Sequence, residues 1–344
     1  MHSKTKIFIN WDDLGFKIIE TKSMFKTVHN QNSEWAKGGL FPYESINISP
    51  ASSVLNYGQG VFEGMKATRT RNGDIVLFRP QMNARRMRKS AKRLCIPTID
   101  ETFFLNSVID TVLDNIDYIP PFNKGNLYIR PIIWGTGPVL GVQPASEYTF
   151  LVYVVPVGPY FKNGIRPLNL TTTISFHRSA PKGIGNIKAI GNYSASLYPL
   201  LDAKSKGFDE VIYLDAKNEN QVEETSSANI FIVKNNILKT PALKGSILEG
   251  VTRDSIISIA KNIHKLDVIE EAITVDDLIN ADEVFCTGTA VVVTPIGKIN
   301  HNGKEKIICG NKIGPITNML RKSLIGIQLQ DVPDPFNWVK RLVL

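Results

Sequence analysis

The first residue whose chemistry stands out is a lysine in an unusual setting. Lys188 lies in the run Gly183-Ile-Gly-Asn-Ile-Lys-Ala-Ile-Gly-Asn-Tyr193, among glycines and small apolar residues and without an acidic neighbour. Burial in such surroundings disfavours the charged ammonium form, so the amine loses its proton more readily. A neutral lysine amine attacks carbonyl groups and can form a Schiff base. On this segment alone, a solvated loop lysine remains the simpler interpretation.

Three further positions could bind an anion such as a phosphate group. Arg79 ends an apolar strand and precedes Pro80, which suits the first turn of a helix, so its guanidinium would stand where the two elements meet. Gly250-Val251-Thr252 and Gly288-Thr289 offer free backbone N–H groups and a hydroxyl, and a helix dipole at such a position favours an anion. Each signal alone is weak, since Thr252 could be only an N-cap and Gly288-Thr289 only a turn.

The length and composition are typical of a globular protein with two domains. The chain has 344 residues, of which 43% are hydrophobic and 21% charged. No apolar run reaches the length of a membrane span, and the N-terminal residues lack the apolar segment and cleavage site of a targeting peptide. Three widely spaced cysteines indicate a reducing compartment and no disulfide framework. We therefore expect a cytoplasmic protein without membrane contacts.

The net charge of +8 raises nucleic-acid binding as an alternative function. The basic residues are dispersed except in residues 85–93, where Ala84, Met87, Ala91 and Leu94 predict an amphipathic helix with a basic outer face. A nucleic-acid site would also need exposed aromatic side chains, so a solvated helix face is favoured. We expect no nucleic-acid partner, and a positive molecule would attract anionic substrates. The five histidines have no ligand spacing, so we expect no metal site.

Hydrophobic periodicity predicts the elements that position these residues. Helices are expected in the basic run, over 102–116, after Tyr193 and from Thr252 onward. Strands are expected over 75–78, 127–134, 148–156, 168–176 and 210–215, and the run 222–233 leads through a turn at Asn235-Asn236 to residues 237–240. Because side chains alternate along a strand, Tyr128 and Arg130 should share a face. A Gly- and Pro-rich stretch over 157–164 indicates a domain boundary.

Together these motifs resemble the branched-chain amino acid aminotransferases, which are pyridoxal-phosphate (PLP) enzymes of fold type IV. The matching segments are Phe62-Glu-Gly-Met-Lys66, Leu77-Phe-Arg-Pro80, Leu127-Tyr-Ile-Arg-Pro131, 135–142, 156–161, Lys188 with Gly191-Asn-Tyr193, 223–231, 247–253 and Gly288-Thr-Ala290. The resemblance implies an α/β (α+β) fold with a small N-terminal α/β domain, an interdomain loop and a larger C-terminal pseudo-barrel domain that binds PLP. We place these parts at residues 1–157, 158–167 and 168–344.

The resemblance also implies roles around the cofactor. Lys188 corresponds to the catalytic lysine that forms the Schiff base with PLP, and Glu224 to the carboxylate that keeps the pyridine nitrogen protonated. Tyr193 corresponds to the phenol that hydrogen-bonds the ring oxygen. The phosphate site would comprise Arg79, Val251, Thr252, Gly288 and Thr289. Asn229 lies at a position near the cofactor, where a turn asparagine that bonds the backbone is an equal alternative. Glu223 would point away from Glu224 if the stretch is extended, and a surface charge is its simplest role.

Substrate residues follow from the same resemblance. Tyr57, Phe62 and Tyr128 correspond to an aromatic wall around an aliphatic side chain, and Arg130 and the backbone of Ala290 to groups near the substrate carboxylate. Leu140 and Val142 correspond to a loop that the neighbouring subunit supplies, which implies a homodimer or a higher homo-oligomer. Tyr160 would lie in the loop that closes over substrate.

The implied reaction is a ping-pong transamination of L-leucine, L-isoleucine and L-valine with 2-oxoglutarate, giving branched 2-oxo acids and L-glutamate. A D-amino acid aminotransferase and an aminodeoxychorismate lyase are the rival activities within the fold, since both keep the lysine and the carboxylate. The long match over 127–142 and the aromatic set favour the branched-chain enzymes. Val291 and Thr294 replace the mammalian Cys-x-x-Cys switch, so we expect no redox regulation of that kind.

Overall fold

A computed structural model describes residues 9–31, 33–159, 161 and 164–343. The helices are α1 (Ser53–Tyr57), α2 (Pro80–Arg93), α3 (Glu101–Asp114), α4 (Gly191–Ser194), α5 (Leu197–Ser205), α6 (Val251–Asn262), α7 (Val275–Ile279) and α8 (Pro315–Gln328). The strands are β1 (Ser23–Asn30), β2 (Gly39–Pro42), β3 (Gly60–Phe62), β4 (Met65–Arg69), β5 (Ile75–Phe78), β6 (Asn126–Gly135), β7 (Glu147–Val157), β8 (Leu168–Thr173), β9 (Glu210–Leu214), β10 (Gln221–Thr225), β11 (Asn229–Lys234), β12 (Ile237–Pro241), β13 (Val268–Glu271), β14 (Ile273–Thr274), β15 (Glu283–Gly288), β16 (Val292–His301), β17 (Lys304–Ile307) and β18 (Val339–Leu342).

The first sheet is antiparallel and is covered by α2 and α3. Its strand order is β18-β5-β4-β6-β7-β1-β2, with β3 paired to β6. Met87 of α2 and Phe104 and Val108 of α3 pack with Phe150 of β7 in one buried core. These helices carry apolar residues three and four positions apart, so one face of each is buried against the sheet. The helix expected over 102–116 begins at Glu101 because the Asp100 side chain accepts the N–H groups of Thr102 and Phe103.

The second sheet closes on itself. Strands β11, β15, β16, β8, β9 and β10 pair in succession, and β10 pairs back to β11. The closing contact is the antiparallel pair Glu224–Asn229. The expected pseudo-barrel is therefore confirmed, and two candidate site residues lie at its closing seam. Strands β13, β14 and β17 lie outside this closed ring and form the edges of the sheet.

The chain passes from the first sheet to the second between Val157 and Leu168. We propose that the two sheets are the cores of two domains with their boundary in this connection. The C-terminal strand departs from the expected division, because β18 pairs with β5 of the first sheet. Tyr160 lies outside the described residues. Among those described, no helix combines the length and apolar character that crossing a bilayer requires.

Candidate active site

The backbone of Lys188 is held between helix α2 and strand β3. Its N–H donates to Ser90 Oγ on α2 at 3.0 Å. Its carbonyl accepts the N–H of Phe62, at the end of β3, at 3.1 Å, and the N–H of Ile190 donates to the Gly60 carbonyl at 3.1 Å. The segment that precedes α4 therefore pairs with β3 through one isolated antiparallel bridge, Val61–Ala189, which fixes the Lys188 backbone.

The Lys188 amine faces aromatic rings. Nζ donates a hydrogen bond to the Tyr193 hydroxyl at 2.8 Å and lies 4.5 Å from the centre of the Phe62 ring. Burial, reinforced by the nearby Arg86 cation, lowers the pKa of Lys188 to about 8. Burial also raises the pKa of Tyr193 to about 12, so this phenol keeps its proton. The amine is therefore easier to deprotonate than an ordinary lysine.

Glu224 is fully enclosed and forms an ion pair. Its Oε1 lies 2.8 Å from Arg178 Nη1 and accepts the N–H of Leu248 at 2.9 Å. Burial raises the pKa of Glu224 to about 7 even though Arg178 and Lys188 act in the opposite direction. Sequence reasoning missed Arg178, because an arginine ten positions before Lys188 belongs to no motif and its partner lies on a distant strand.

Glu223 is buried, so its expected role as a surface charge is wrong. Its Oε1 accepts the Ser246 hydroxyl, and only 3% of the residue is exposed. Burial raises the pKa of Glu223. Strand β10 shifts register between Val222 and Thr225, and such an irregularity breaks simple alternation. Two consecutive carboxyl groups can therefore both be enclosed, each with a different partner.

Asn229 links the barrel seam to the turn before α6. Its Nδ2 donates to the Leu248 carbonyl at 2.9 Å and lies 3.4 Å from Glu224 Oε2. The side chain of Asn229 does bond the backbone, but its partner lies 19 residues away rather than in a local turn. Gly250 packs directly on this side chain, since a Cβ there would lie 2.0 Å from Asn229 Oδ1. A side chain at Gly250 would displace the asparagine.

Arg79 reaches from the start of α2 to the start of α6. Its backbone is left-handed, with φ 48°, and its N–H donates to the Trp338 carbonyl at 2.8 Å. Nη1 lies 2.7 Å from Asp254 Oδ2 and 2.8 Å from Ser255 Oγ, whereas the buried Nε has no partner among the described residues. Gly250 is the N-cap residue of α6, and Val251 and Thr252 form its first turn. A cation, helix N–H groups and a hydroxyl thus converge at one place.

A cavity of about 360 Å³ lies beside this convergence. Val251, Thr252, Thr289 and Ala290 line it. Thr289 Oγ1 donates to the Gly64 carbonyl at 3.2 Å, and Gly288 precedes it at the end of β15. The described lining includes neither Lys188 nor Glu224, so the cavity covers only the Thr252–Ala290 end of the site.

Two cations give this cavity a positive wall. Lys66 and Arg321 both line it. Lys66 Nζ lies 3.5 Å from the Ala290 carbonyl, and Arg321 Nη1 donates to the Val293 carbonyl at 2.9 Å. Burial, reinforced by Arg321, lowers the pKa of Lys66 to about 8. Lys66 belongs to the matching segment Phe62–Lys66 but was given no role from the sequence, and Arg321 lies in no matching segment.

Three expected substrate residues meet beside Lys188. The Phe62 and Tyr193 rings are 4.7 Å apart, and the Arg130 guanidinium lies 4.6 Å from the centre of the Phe62 ring. Arg130 Nη2 donates to the Tyr128 hydroxyl at 3.1 Å, as expected for side chains on one face of β6. Gly64 leaves room for this phenol, since a Cβ there would lie 2.3 Å from its oxygen.

Tyr57 does not join this aromatic group within one chain. It is 41% exposed, and its hydroxyl accepts the N–H of Gly141 at 2.8 Å. Leu140 and Val142 flank that glycine and are 94% and 91% exposed. Helix α1 holds Tyr57 against this outer loop, so the expected wall of Tyr57, Phe62 and Tyr128 stays a prediction.

Comparison with known proteins places these features in context. The sequence profile of the family "Amino-transferase class IV" matches residues 60–299. The chain is 47% identical to the chloroplastic branched-chain-amino-acid aminotransferase 5 of Arabidopsis thaliana, over 97% of this chain and 80% of that one. It is 46% identical to the mitochondrial branched-chain amino acid aminotransferase 1 of Humulus lupulus, over 96% and 84%. It is 38% identical to a methionine aminotransferase of Arabidopsis thaliana, over 96% and 92%.

Solved structures give the same result. The branched-chain amino acid aminotransferase of Escherichia coli superposes with a TM-score of 0.81 at 27% identity, over 93% of this chain and 99% of that one. The branched-chain aminotransferase of the archaeon Thermoproteus uzoniensis, solved with norvaline, superposes with a TM-score of 0.79 at 30% identity, over 93% and 99%. A further branched-chain amino acid aminotransferase, solved with pyridoxamine 5'-phosphate, gives a TM-score of 0.79 at 29% identity, over 94% and 99%.

The cytoplasmic location expected from the sequence is wrong. The relatives at 46% and 47% identity are chloroplastic or mitochondrial proteins, which indicates one of those compartments. The expectation failed because unpaired cysteines identify a reducing environment, and reducing conditions alone do not distinguish the cytoplasm from the interior of an organelle.

Proposed function

The chain belongs to the branched-chain amino acid aminotransferases, within the class IV aminotransferase family, and from this we propose its substrates, cofactor and site residues. The reaction is the reversible transamination of L-leucine, L-isoleucine and L-valine with 2-oxoglutarate, which yields branched 2-oxo acids and L-glutamate. The observation that carries the proposal is the Lys188 amine, which is bonded to Tyr193 and within electrostatic reach of the buried Glu224.

The residues at the site fit pyridoxal 5'-phosphate. The buried Arg79 Nε without a partner is a donor suited to a phosphate oxygen, as are the N–H groups at the start of the 12-residue helix α6. The hydroxyls of Thr252 and Thr289, with the backbone of Val251 and Gly288, would complete the phosphate site. Glu224 would hold the pyridine nitrogen, with Asn229 fixing the seam beside it. When bound, PLP supplies an electron-accepting ring that stabilises negative charge at the substrate Cα.

Lys188 acts as the base in this proposal. An amine with a pKa of about 8 is deprotonated in about one tenth of the molecules at pH 7, far more often than an ordinary lysine, and a general base is most efficient when its pKa lies near the working pH. Lys188 Nζ would take the Cα proton of the amino acid and deliver it to the bound cofactor. Tyr193 orients the amine through the 2.8 Å hydrogen bond and keeps its own proton.

Different substrate residues would bind the aliphatic side chain and the carboxylate of the substrate. Phe62 and Tyr128 offer aromatic surface to an aliphatic side chain, while Arg130 and the backbone of Ala290 would bind carboxylate. The positive wall formed by Lys66 and Arg321 would raise the local concentration of amino and 2-oxo acids, which both carry a carboxylate.

A homodimer completes the site in this proposal. Leu140 and Val142 are large apolar residues that are almost fully exposed, and Tyr57 is bonded to the same loop. Exposed apolar residues grouped in this way are typical of interaction surfaces. We propose that all three reach the active site of the neighbouring subunit, where they would contact the aliphatic side chain.

A half-reaction scan tests the substrate proposal. Purified protein with PLP is mixed with each amino acid in turn, and the loss of visible cofactor absorbance is followed, with Lys188→Ala as the inactive control. L-leucine, L-isoleucine and L-valine should react fastest. A faster reaction with L-methionine would indicate methionine as the substrate, as in the name of the methionine aminotransferase relative. A reaction with only D-alanine or aminodeoxychorismate would refute the proposal.

A further inference from the structure

A buried ion pair joins strand β3 to helix α2 beside the active amine. Arg86 Nε lies 2.7 Å from Glu63 Oε1, and Arg86 Nη2 lies 2.8 Å from Glu63 Oε2. The Glu63 side chain is fully buried and that of Arg86 is 9% exposed. Asn83 Nδ2 donates to Glu63 Oε2 at 2.8 Å, so the carboxylate is almost saturated with donors. A fork of this geometry fixes both partners more tightly than a single hydrogen bond.

Arg86 is also the exception in a helix expected to present its basic residues to solvent. It lies one turn before Ser90, so both residues are on the inner face of α2. Its Nη1 donates to the Glu249 carbonyl at 2.9 Å, directly before Gly250 and the start of α6. One guanidinium therefore contacts both the turn after β3 and the turn that leads into the proposed phosphate site.

The elements joined by this pair are those that hold the Lys188 backbone. Ser90, which accepts the Lys188 N–H, is on α2 with Arg86. Phe62, which donates to the Lys188 carbonyl, directly precedes Glu63. If β3 and α2 separated, Lys188 would keep no more than one of these two contacts. The Glu63–Arg86 pair lies at the point where this separation would begin.

We propose that Glu63 and Arg86 are positioning residues, which hold β3, α2 and the start of α6 at fixed relative positions around the Lys188 amine. The inference rests on the proposed function only for the role of Lys188. Neither residue needs to touch substrate or cofactor for this task, because each acts through the backbone that carries the amine.

The two charges also act on the amine with opposite signs. Arg86 lowers the pKa of Lys188 and Glu63 raises it, with burial as the larger cause. Burial alone would raise the pKa of Glu63, but Arg86 reverses this and keeps the carboxyl ionised. The titratable and charged groups that face Lys188 are Glu63 after β3, Arg86 on α2, Tyr128 and Arg130 on β6, Tyr193 on α4 and Glu224 on β10.

The opposite signs make a sharp test possible. In cofactor-free protein, mass spectrometry measures how the labelling of Lys188 by an amine-reactive reagent depends on pH. In the PLP-bound enzyme, kcat is measured. Glu63→Gln leaves the Arg86 cation without its counter-charge, so the labelling midpoint should fall by about half a pH unit or more. Arg86→Gln should move it upward, and the double variant should lie between the two. Shifts in the same direction, or no shift, would overturn the electrostatic part.

Conservative variants test the positioning part, including the case in which the single glutamine variants do not fold. Arg86→Lys keeps the charge but loses the fork, so kcat should fall about tenfold with little change in KM or in the labelling midpoint. Lys89→Ala is the matched control, because Lys89 pairs with the Glu249 side chain on the exposed side of α2. A wild-type kcat in Arg86→Lys would overturn the inference. If the labelling midpoints shift as expected but the protein transaminates no amino acid, the proposed function is refuted and the electrostatic part of the inference is not.

Discussion

Arg178 Nη1 and Glu224 Oε1 lie 2.8 Å apart, and their side chains are 1% and 2% exposed. The pair connects the segment before Lys188 to the strand that closes the barrel. A buried carboxylate needs such a partner, because an isolated charge in the interior is costly. This ion pair therefore links the stability of the fold to the ionisation of Glu224, the residue proposed to hold the pyridine nitrogen.

Replacing Arg178 with glutamine should destabilise the cofactor-free protein by about 3–5 kcal/mol, since the change leaves Glu224 buried without its cation. Urea unfolding followed by circular dichroism would measure the loss. Arg85→Gln is the matched control, because Arg85 pairs with Glu101 on the surface with 63% and 32% exposure, and such pairs contribute about 1 kcal/mol or less. Equal losses in the two variants would contradict the assigned importance of the buried pair.

Replacing Glu224 with glutamine should remove one pH-dependent part of the stability. The pKa of Glu224 is raised to about 7 in the folded chain from an ordinary value of 4.5, so the protonated carboxyl favours folding. That contribution is fully present below pH 4.5 and is lost as pH rises to 7, at about 1.4 kcal/mol per pH unit. The stability of the parent relative to the variant should therefore fall over this window in unfolding experiments on cofactor-free protein. A difference that does not change with pH would contradict this.

Gly250→Ala should disturb the seam and the proposed phosphate site together. The added methyl would lie 2.0 Å from Asn229 Oδ1, so Asn229 must move away from the Leu248 carbonyl. We expect a loss of about 1–3 kcal/mol in unfolding free energy and weaker retention of PLP during dialysis. Gly39→Ala is the control, because nothing lies within 4 Å of its Cβ position, and it should change stability by less than about 0.5 kcal/mol.

Hybrid dimers would test whether the exposed loop serves the neighbouring site. Lys188→Ala and the double variant Leu140→Asp/Val142→Asp should each be almost inactive alone. When the two variants are co-expressed, some dimers contain one subunit of each kind. Such a hybrid dimer would have one site with an intact lysine from one subunit and an intact loop from the other. Random pairing should restore about a quarter of the wild-type activity, since half of the dimers are hybrids with one intact site of two. If the loop serves its own subunit, no activity would return.

Much of the fold followed from local pattern. The apolar spacing in α2 and α3, the alternation in β6 and the glycine before α6 predicted elements that lie within a few residues of those observed. These signals are local because helix and strand periodicity depend on neighbouring side chains. The return of β18 to the first sheet was not predictable in this way, since its partner β5 is far away in the chain.

The sequence predicted some residues of the site and missed the surroundings of others. Lys188, Tyr193 and Glu224 were identified from motifs, and the structure brings them within electrostatic reach of one another. Arg86 was expected in solvent and is enclosed, because its partner Glu63 arrives from another element. Tyr57 was grouped with Phe62 through the family resemblance, and only the folded chain reveals that it lies with the outer loop.

The order of residues by itself determined which reactive groups the protein possesses, which family it belongs to and where most helices and strands begin. The tertiary structure decided the state of those groups: an amine with a pKa of about 8, a carboxyl with a pKa of about 7 and a second carboxyl hidden from water. Identity and periodicity are properties of the chain, whereas burial and ion pairing arise only when distant segments meet and exclude solvent.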